Sequence, residues 1–102
     1  MITIRVVENE EKQITRICVS GHSGSATHGH DLVCAAVSAI TFGLANAVDE
    51  LFHEKVEVSD NVLDISIAHP NQNTEFVMRT GLIQLKTVEE VHSQYVKIKM
   101  EV

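Results

Sequence analysis

The stretch GHSGSATHGHDLVCAAVS, from Gly21 to Ser38, separates two parts of the chain that differ in hydrophobic periodicity. Before it, apolar and polar residues mostly alternate, which is typical of half-buried β-strands. From about Leu32 to Phe52, apolar residues recur every three or four positions, which predicts a long amphipathic helix. Asp31 precedes this helix, and its carboxylate is expected to cap the first turn. The stretch therefore predicts a strand, a polar loop and a helix, in that order.

The remaining segments predict a β-β-α-β-β-α-β order for the whole chain. Asp60-Asn61 is a typical two-residue turn of a second hairpin, and Asn73 or Thr74 is the expected N-cap of a second helix. Short hairpins favour a two-layer α+β domain, with a mostly antiparallel sheet of about five strands and both helices on one face. The expected strands are 1–7, 13–20, 55–59, 62–69 and 95–102, and the second helix ends near residue 93.

Two details of these segments predict specific packing. Ile14 and Ile17 differ in parity within the second strand, so a bulge between them would let both face the core. Gly81 lies in the middle of the second helix, where glycine costs about 1 kcal/mol relative to alanine. A close crossing with the first helix would explain it, since the first helix carries a row of small residues.

Composition and charge limit the possible functions. The chain has 102 residues, of which 44% are hydrophobic and 22% charged, as expected for one globular domain over residues 1–102. We find no targeting signal and no run of about 18 apolar residues, so a cytoplasmic protein without membrane contact is expected. The net charge of −6 argues against direct nucleic-acid binding and favours either a basic partner or simple solubility. Both cysteines are expected to be reduced, and Cys18 to be a small buried hydrophobe.

Cys34 and His22 stand at opposite ends of the polar loop and could form a thiol–imidazole pair. With Asp31 as the cap, Cys34 would lie in the first helical turn, whose partial positive charge lowers the pKa of a thiol. Amides of that turn, those of Cys34 or Ala35, could hold a developing oxyanion. The charge of Asp31 opposes the effect on the thiol, so a histidine is needed to take the proton. His22 is favoured as this base because it follows a strand, and His30 is the second choice.

Other residues of the stretch are candidates for supporting roles. Ser38 lies four residues after the cysteine on the same helical face, where it either bonds the thiol or the imidazole or simply packs. Asp31 could be both a cap and a third member of the site. Gly24 and Gly29, together with His30, mark a loop that either opens and closes as a gate for a peptide or is an ordinary surface loop.

These residues follow the pattern Gly-His…Gly-x-Asp-x-Val-Cys-Ala-Ala-x-Ser from Gly21 to Ser38. The pattern resembles the ribosomal-processing cysteine protease family Prp. The resemblance covers essentially the whole chain, because the length, the element order and three further runs are also similar. Those runs are Phe42-Gly43, Asn46-Ala47 and Thr87-Val88-Glu89-Glu90.

The resemblance implies a cytosolic endopeptidase that removes a short N-terminal extension from a large-subunit ribosomal protein near the peptidyl-transferase centre. It implies that His22 is the catalytic histidine and Cys34 the nucleophile, with Asp31 and Ser38 in supporting positions. It also implies a homodimer and a mobile loop between the histidine and the cysteine. In the implied acyl transfer, Cys34 attacks the scissile carbonyl while His22 holds and then returns the proton. A basic ribosomal protein precursor as partner would suit the net charge of −6.

Two alternatives use the same residues. A non-catalytic ribosome-assembly or partner-binding domain would bury Cys34 and turn His22 away from it. A zinc-binding module would combine Cys34 with the three loop histidines, which is enough for zinc but matches none of the usual structural spacings. Those histidines are His22, His28 and His30. The protease is therefore the main hypothesis, and no metal or other cofactor is expected.

Overall fold

Five strands and two helices follow the order β-β-α-β-β-α-β in a computed structural model that describes residues 1–21 and 28–102. Within residues 28–30 it describes the backbone but not the side chains. The elements are β1 (Ile2–Glu8), β2 (Ile14–Ser20), α1 (His28–Phe52), β3 (Val56–Ser59), β4 (Val62–Ser66), α2 (Gln72–Val91) and β5 (Val96–Glu101). The element order predicted from periodicity is confirmed.

The strands form one sheet in the order β3-β4-β2-β1-β5. Each neighbouring pair is antiparallel except β1 with β5, which is parallel because α2 returns the chain between β4 and β5. The expected mostly antiparallel sheet is therefore confirmed. β2 lies at its centre, so the end of β2 at Ser20 is held by β1 on one side and by β4 on the other.

The predicted bulge lies in β2. Val7 pairs with Arg16 and Glu8 pairs with Ile14, which leaves Thr15 as the extra residue. As a result Ile14 and Ile17 are both fully buried on the core side, despite their different parity.

Both helices pack on the same face of the sheet and enclose the core with it. Gly81 of α2 lies where the two helices cross, because a Cβ there would stand 2.6 Å from Cδ2 of Leu44 on α1. This contact confirms the close crossing that the glycine predicted. The main buried side chains are Ile2, Ile4, Val6, Ile14, Ile17, Val19, Val33, Val37, Val48, Leu63, Ile65, Met78, Leu82, Leu85 and Val96.

α1 begins at His28, four residues earlier than the sequence predicted. Asp31 is therefore not the N-cap but lies in the first turn. Gly29 and His30, predicted to belong to the loop, are the second and third residues of the helix. A single glycine weakens a helix by only about 1 kcal/mol, so Gly29 does not stop it.

The start of α2 also differs from the prediction. Asn71 is its N-cap, in place of Asn73 or Thr74. The Asn71 side chain accepts a bond from the Thr74 amide at 3.0 Å, and the Thr74 hydroxyl accepts one from the Asn71 amide at 2.9 Å. This reciprocal capping box satisfies two amide donors at once, which is why it places the cap three residues before the threonine.

Residues 31–52 of α1 are long and apolar enough to cross a membrane by length and composition alone. No such segment was predicted from the sequence, since it contains no run of about 18 apolar residues. Val33, Val37 and Val48 of this helix pack in the core against the sheet. A core helix of a soluble protein meets the same criteria.

Candidate active site

Cys34 lies in the second turn of α1, six residues after the helix begins. It is partly exposed and packs against the edge of the hydrophobic core. The expectation that it belongs to the first turn is wrong, because the helix starts at His28. The charge of a helix terminus acts mainly within the first turn, so it favours the Cys34 thiolate less than predicted.

The earlier helix start also changes the candidate oxyanion donors. A helix leaves only its first four amides without an intrahelical acceptor. The amides of Cys34 and Ala35 lie beyond those four and belong to the regular hydrogen-bonding ladder of α1. The prediction that these two amides hold an oxyanion is therefore wrong.

The described surroundings of Cys34 oppose its ionisation. Burial raises the pKa of the thiol, and the carboxylate of Asp31 raises it further. The N-terminal ammonium group acts in the opposite direction but has the smallest effect. Because the thiolate is the nucleophilic form, a reaction at Cys34 requires a base to remove its proton.

Asp31, Cys34 and Ser38 share one face of α1, since they are separated by three and four residues. Asp31 is exposed, whereas Ser38 is half-buried like the cysteine. The structure therefore brings the predicted nucleophile and both predicted supporting residues onto one line along the helix.

Gly21 is the last described residue before the predicted base His22. Its φ of +90° lies in the left-handed region, and a Cβ there would clash with the backbone carbonyl oxygen of Met1. Its amide donates a hydrogen bond of 3.3 Å to the carbonyl oxygen of Asn61 in the turn between β3 and β4. Only glycine satisfies this conformation and this close approach, so the backbone leading into His22 is fixed at the end of β2.

A cavity of about 120 Å³ separates α1 from the turn between β3 and β4. Ser38 and Phe42 line it from the helix, and residues 58–63 line it from the hairpin. Asn61 takes part in this lining and also holds Gly21. The cavity thus lies between the strand end that leads into His22 and the helix face that carries Cys34.

Several predicted residues lie outside what the structure describes. These are His22 and Gly24, together with the side chains of His28 and His30. The zinc alternative depends on three of these histidines. Among the described side chains, no group of three or more His, Cys, Asp or Glu residues is placed to hold a metal ion.

Sequence reasoning missed the role of Asn61. The turn itself was predicted, but the contact with Gly21 depends on the pairing of β2 with β4, residues far apart in the chain. Cys18 was predicted correctly as a buried residue, with only 9% of its surface exposed. No disulfide joins Cys18 and Cys34.

Comparison with known proteins identifies relatives along nearly the whole chain. The family model described as "Cysteine protease Prp" matches residues 1–97. The ribosomal processing cysteine protease Prp of Staphylococcus aureus is 31% identical over 103 residues, which cover 96% of this chain and 97% of the relative. The protein of the same name from Mycoplasma genitalium is 30% identical, in an alignment that covers 99% of this chain and 97% of the relative.

Solved structures of the same family have folds similar to that of this chain. The essential ribosomal processing protease Prp from S. aureus, in complex with a substrate peptide, superposes with a TM-score of 0.89 at 29% identity, covering 99% of this chain and 100% of the other. The structure described as Prp from S. aureus in complex with a covalently linked product peptide gives a TM-score of 0.83 at the same identity and coverage. From its sequence and its fold together, this chain belongs to the cysteine protease Prp family.

Proposed function

We propose that this protein is a cysteine endopeptidase that removes the N-terminal extension of a large-subunit ribosomal protein, with a protease domain over residues 1–102. The observation that carries the proposal is a partly exposed cysteine one helical turn before Ser38, which lines a surface cavity, in a chain that matches a cysteine protease family over residues 1–97. Partial exposure of Cys34 also favours this function over the non-catalytic alternative, which would bury the thiol.

In the proposed mechanism, His22 removes the thiol proton and the sulfur of Cys34 attacks the scissile carbonyl carbon. The C–N bond then breaks, His22 gives the proton to the leaving amine, and a thioester joins the new carboxyl end to Cys34. Water, deprotonated by His22, hydrolyses the thioester and restores the thiol. A base is essential because burial and Asp31 raise the pKa of Cys34.

Asp31 and Ser38 are the proposed supporting residues. Asp31 would orient His22 and stabilise the imidazolium that forms when it takes the proton. Ser38, one turn after the cysteine, would bond the thiol or the imidazole. Gly24 would give the segment before α1 the backbone freedom that peptide entry needs.

The proposed partner is a basic ribosomal protein precursor in the cytoplasm, without direct contact to nucleic acid or membrane. The net charge of −6 supports this partner, because an acidic surface attracts a cationic chain.

The protein is also proposed to be a homodimer, as its resemblance to the family implies. The outer face of α1 and α2 is a suitable interface for a second copy of the chain. A groove of about 570 Å³ lies between the two helices, and Phe76, which lines it, is 64% exposed. None of the described residues that line the groove is charged, as suits an interface between two identical apolar surfaces. Phe76→Glu should yield a monomer by light scattering, and a monomeric wild type would refute the dimer.

The test of the protease is cleavage of a peptide that spans the extension of the precursor and its junction, followed by mass spectrometry. Cys34→Ala should reduce cleavage to background, and His22→Ala should lower kcat by about 10²–10⁴-fold. Cys18→Ala is the matched control, because it removes the other thiol from the opposite face of the sheet and should leave the rate unchanged. Cleavage that persists in Cys34→Ala would refute the assignment.

A further inference from the structure

We propose that Asn61 is a positioning residue for the reaction, because its backbone carbonyl holds the segment of chain that leads into the base His22. This inference rests on the proposed function, and it adds a residue of the turn between β3 and β4 to the machinery of the site. Two observations carry it, which are the conformation of the turn and the hydrogen bond that the turn makes to the end of β2.

The turn between β3 and β4 does not have the conformation that its length favours. Ser59 pairs with Val62, which leaves a two-residue turn between the strands. Two-residue hairpin turns favour types I′ and II′, which need a positive φ at the first or at both central residues. Aspartate and asparagine adopt such angles more readily than most residues, yet neither Asp60 nor Asn61 has a positive φ. The turn therefore departs from its local preference.

The hydrogen bond to β2 gives this departure a purpose. The carbonyl oxygen of Asn61 accepts a bond of 3.3 Å from the Gly21 amide, which extends the pairing of β2 with β4 by one step beyond Ser20 and Val62. Types I′ and II′ are mirror images of I and II, so a change to one of them would reorient the peptide groups of the turn. A local preference that gives way to a contact with a distant segment is typical of functional sites.

Gly21 is confined on its other side by the start of β1. A Cβ at this position would clash with the carbonyl oxygen of Met1, and it would stand 3.4 Å from Cα of Ile2. These close contacts are repulsive, so they limit movement of Gly21 toward β1 only. The hydrogen bond to Asn61 limits movement in the opposite direction. Loss of that bond would therefore let the end of β2 shift away from β1.

The position of Gly21 matters because one peptide bond joins it to His22. A base has to come within hydrogen-bonding reach of the Cys34 thiol before it can remove the proton. A misplacement of about 1 Å can lower the rate of a reaction about 10²-fold. Since burial and Asp31 raise the pKa of Cys34, the reaction depends strongly on this alignment.

The first variant for the test is Asn61→Gly, which gives the turn an aspartate-glycine pair and so favours type I′. Amide hydrogen exchange measured by NMR should show that the Gly21 amide loses its protection. In cleavage of the extension peptide, kcat should fall about 10–100-fold while KM stays unchanged, because the base acts on the thiol and not on peptide binding. The urea midpoint should not fall, since the new turn suits the hairpin.

A second variant addresses a glycine turn that keeps the bond to Gly21. Insertion of one glycine between Asn61 and Val62 builds a common three-residue turn, in which the added glycine is left-handed. This turn moves the Asn61 carbonyl away from the end of β2. The kinetic comparison with the wild type uses whichever of the two variants has lost protection at the Gly21 amide.

Alkylation of Cys34 separates positioning from a general loss of structure. A histidine that pairs with a thiol lowers the pH at which the thiol reacts with iodoacetamide. In the chosen variant the pH profile of alkylation should shift to higher pH, toward the profile of His22→Ala. In the His22→Ala background, loss of the bond from Asn61 should cause no further shift, because the two changes act through the same group.

Lys12→Gly is the matched control, because Lys12 lies in the hairpin turn at the other end of β2 and has a positive φ that glycine also adopts. It should leave kcat and the alkylation profile unchanged. Loss of protection at Gly21 without a change in kcat would overturn the positioning role while the protease assignment stands. An equal shift of the alkylation profile with and without His22 would overturn it as well. Peptide cleavage that survives Cys34→Ala would instead overturn the proposed function.

Discussion

Cys18 and Cys34 lie on opposite faces of the sheet, and they differ in the charged groups around them and in their access to solvent. Burial raises the pKa of Cys18, and the carboxylate of Asp64 raises it further, while Arg16 and Arg5 act in the opposite direction. Burial and the carboxylate of Asp31 raise the pKa of Cys34, and the N-terminal ammonium group acts weakly in the opposite direction. The pKa is therefore raised at both thiols, and local charge does not single out either of them as the nucleophile.

Access distinguishes the two thiols. Cys18 lies on a central strand between β1 and β4, 9% exposed, with Arg16 engaged in an ion pair to Asp64 at 2.6 Å. Cys34 is partly exposed on a helix face, one turn before Ser38, which lines a cavity. Exposure close to a cavity, and not local charge, therefore identifies Cys34 as the candidate nucleophile. Because its pKa is raised, a base has to remove its proton.

The largest expected effect is on alkylation of the native protein. Iodoacetamide should modify Cys34 at least about a hundredfold faster than Cys18, because exposure of a central strand needs local unfolding that costs several kcal/mol. Peptide mapping after timed quenching measures both rates in one sample. Equal rates, or faster labelling of Cys18, would break the comparison between the two thiols.

The next effect concerns the anchor before His22. Gly21→Ala should lower the free energy of unfolding by about 1–3 kcal/mol, since it places a Cβ in a left-handed conformation against the Met1 carbonyl. Urea denaturation measures this change. Gly43→Ala is the matched control, because a Cβ there meets nothing within 4 Å and should stabilise α1 by about 0.5–1 kcal/mol. A neutral Gly21→Ala would show that the strand end is not constrained.

A smaller effect is expected on the titration of Cys34. The Asp31 carboxylate disfavours the thiolate and so raises the pKa of Cys34. Asp31→Asn should lower this pKa and shift the pH profile of alkylation to lower pH, with faster modification at neutral pH. The same variant should reduce peptide cleavage if Asp31 orients His22. Asp49→Asn, further along the exposed side of α1, should leave the alkylation profile unchanged.

The smallest effect is expected on the opposite face of the sheet. Arg16→Ala breaks the ion pair with Asp64, whose side chains are 39% and 21% exposed. Partly exposed pairs contribute little, so the loss of stability should be about 0–1 kcal/mol, and peptide cleavage should not change. A large loss of activity would mean that the sheet face opposite the helices affects catalysis at the candidate active site.

Local periodicity was sufficient to predict most of the fold. The bulge could be predicted from the parity of Ile14 and Ile17, and the helix crossing from the position of Gly81. Each of these signals lies within a single strand or helix. The helix starts were missed, since they depend on competition between neighbouring caps. Asn71 was overlooked because its partner Thr74 was itself a plausible cap.

The candidate site was predictable only in part. Cys34 and Ser38 could be placed on one helix face from their spacing. The contact between Gly21 and Asn61, and the cavity beside it, required knowledge of which strands are neighbours. Pairing of β2 with β4 joins residues more than forty positions apart, and no local pattern encodes it.

The hydrogen bond from the Gly21 amide to the Asn61 carbonyl oxygen also has a consequence for the thermal stability of the site. Strand ends open more readily than the strands they terminate. The bond from Gly21 to Asn61 is 3.3 Å long and lies at the very end of β2, beyond the last pair of the sheet. Fraying of this end would release the backbone before His22 while the core stayed closed. Inactivation on warming would then precede melting, and the enzyme would lose its alignment before it lost its fold.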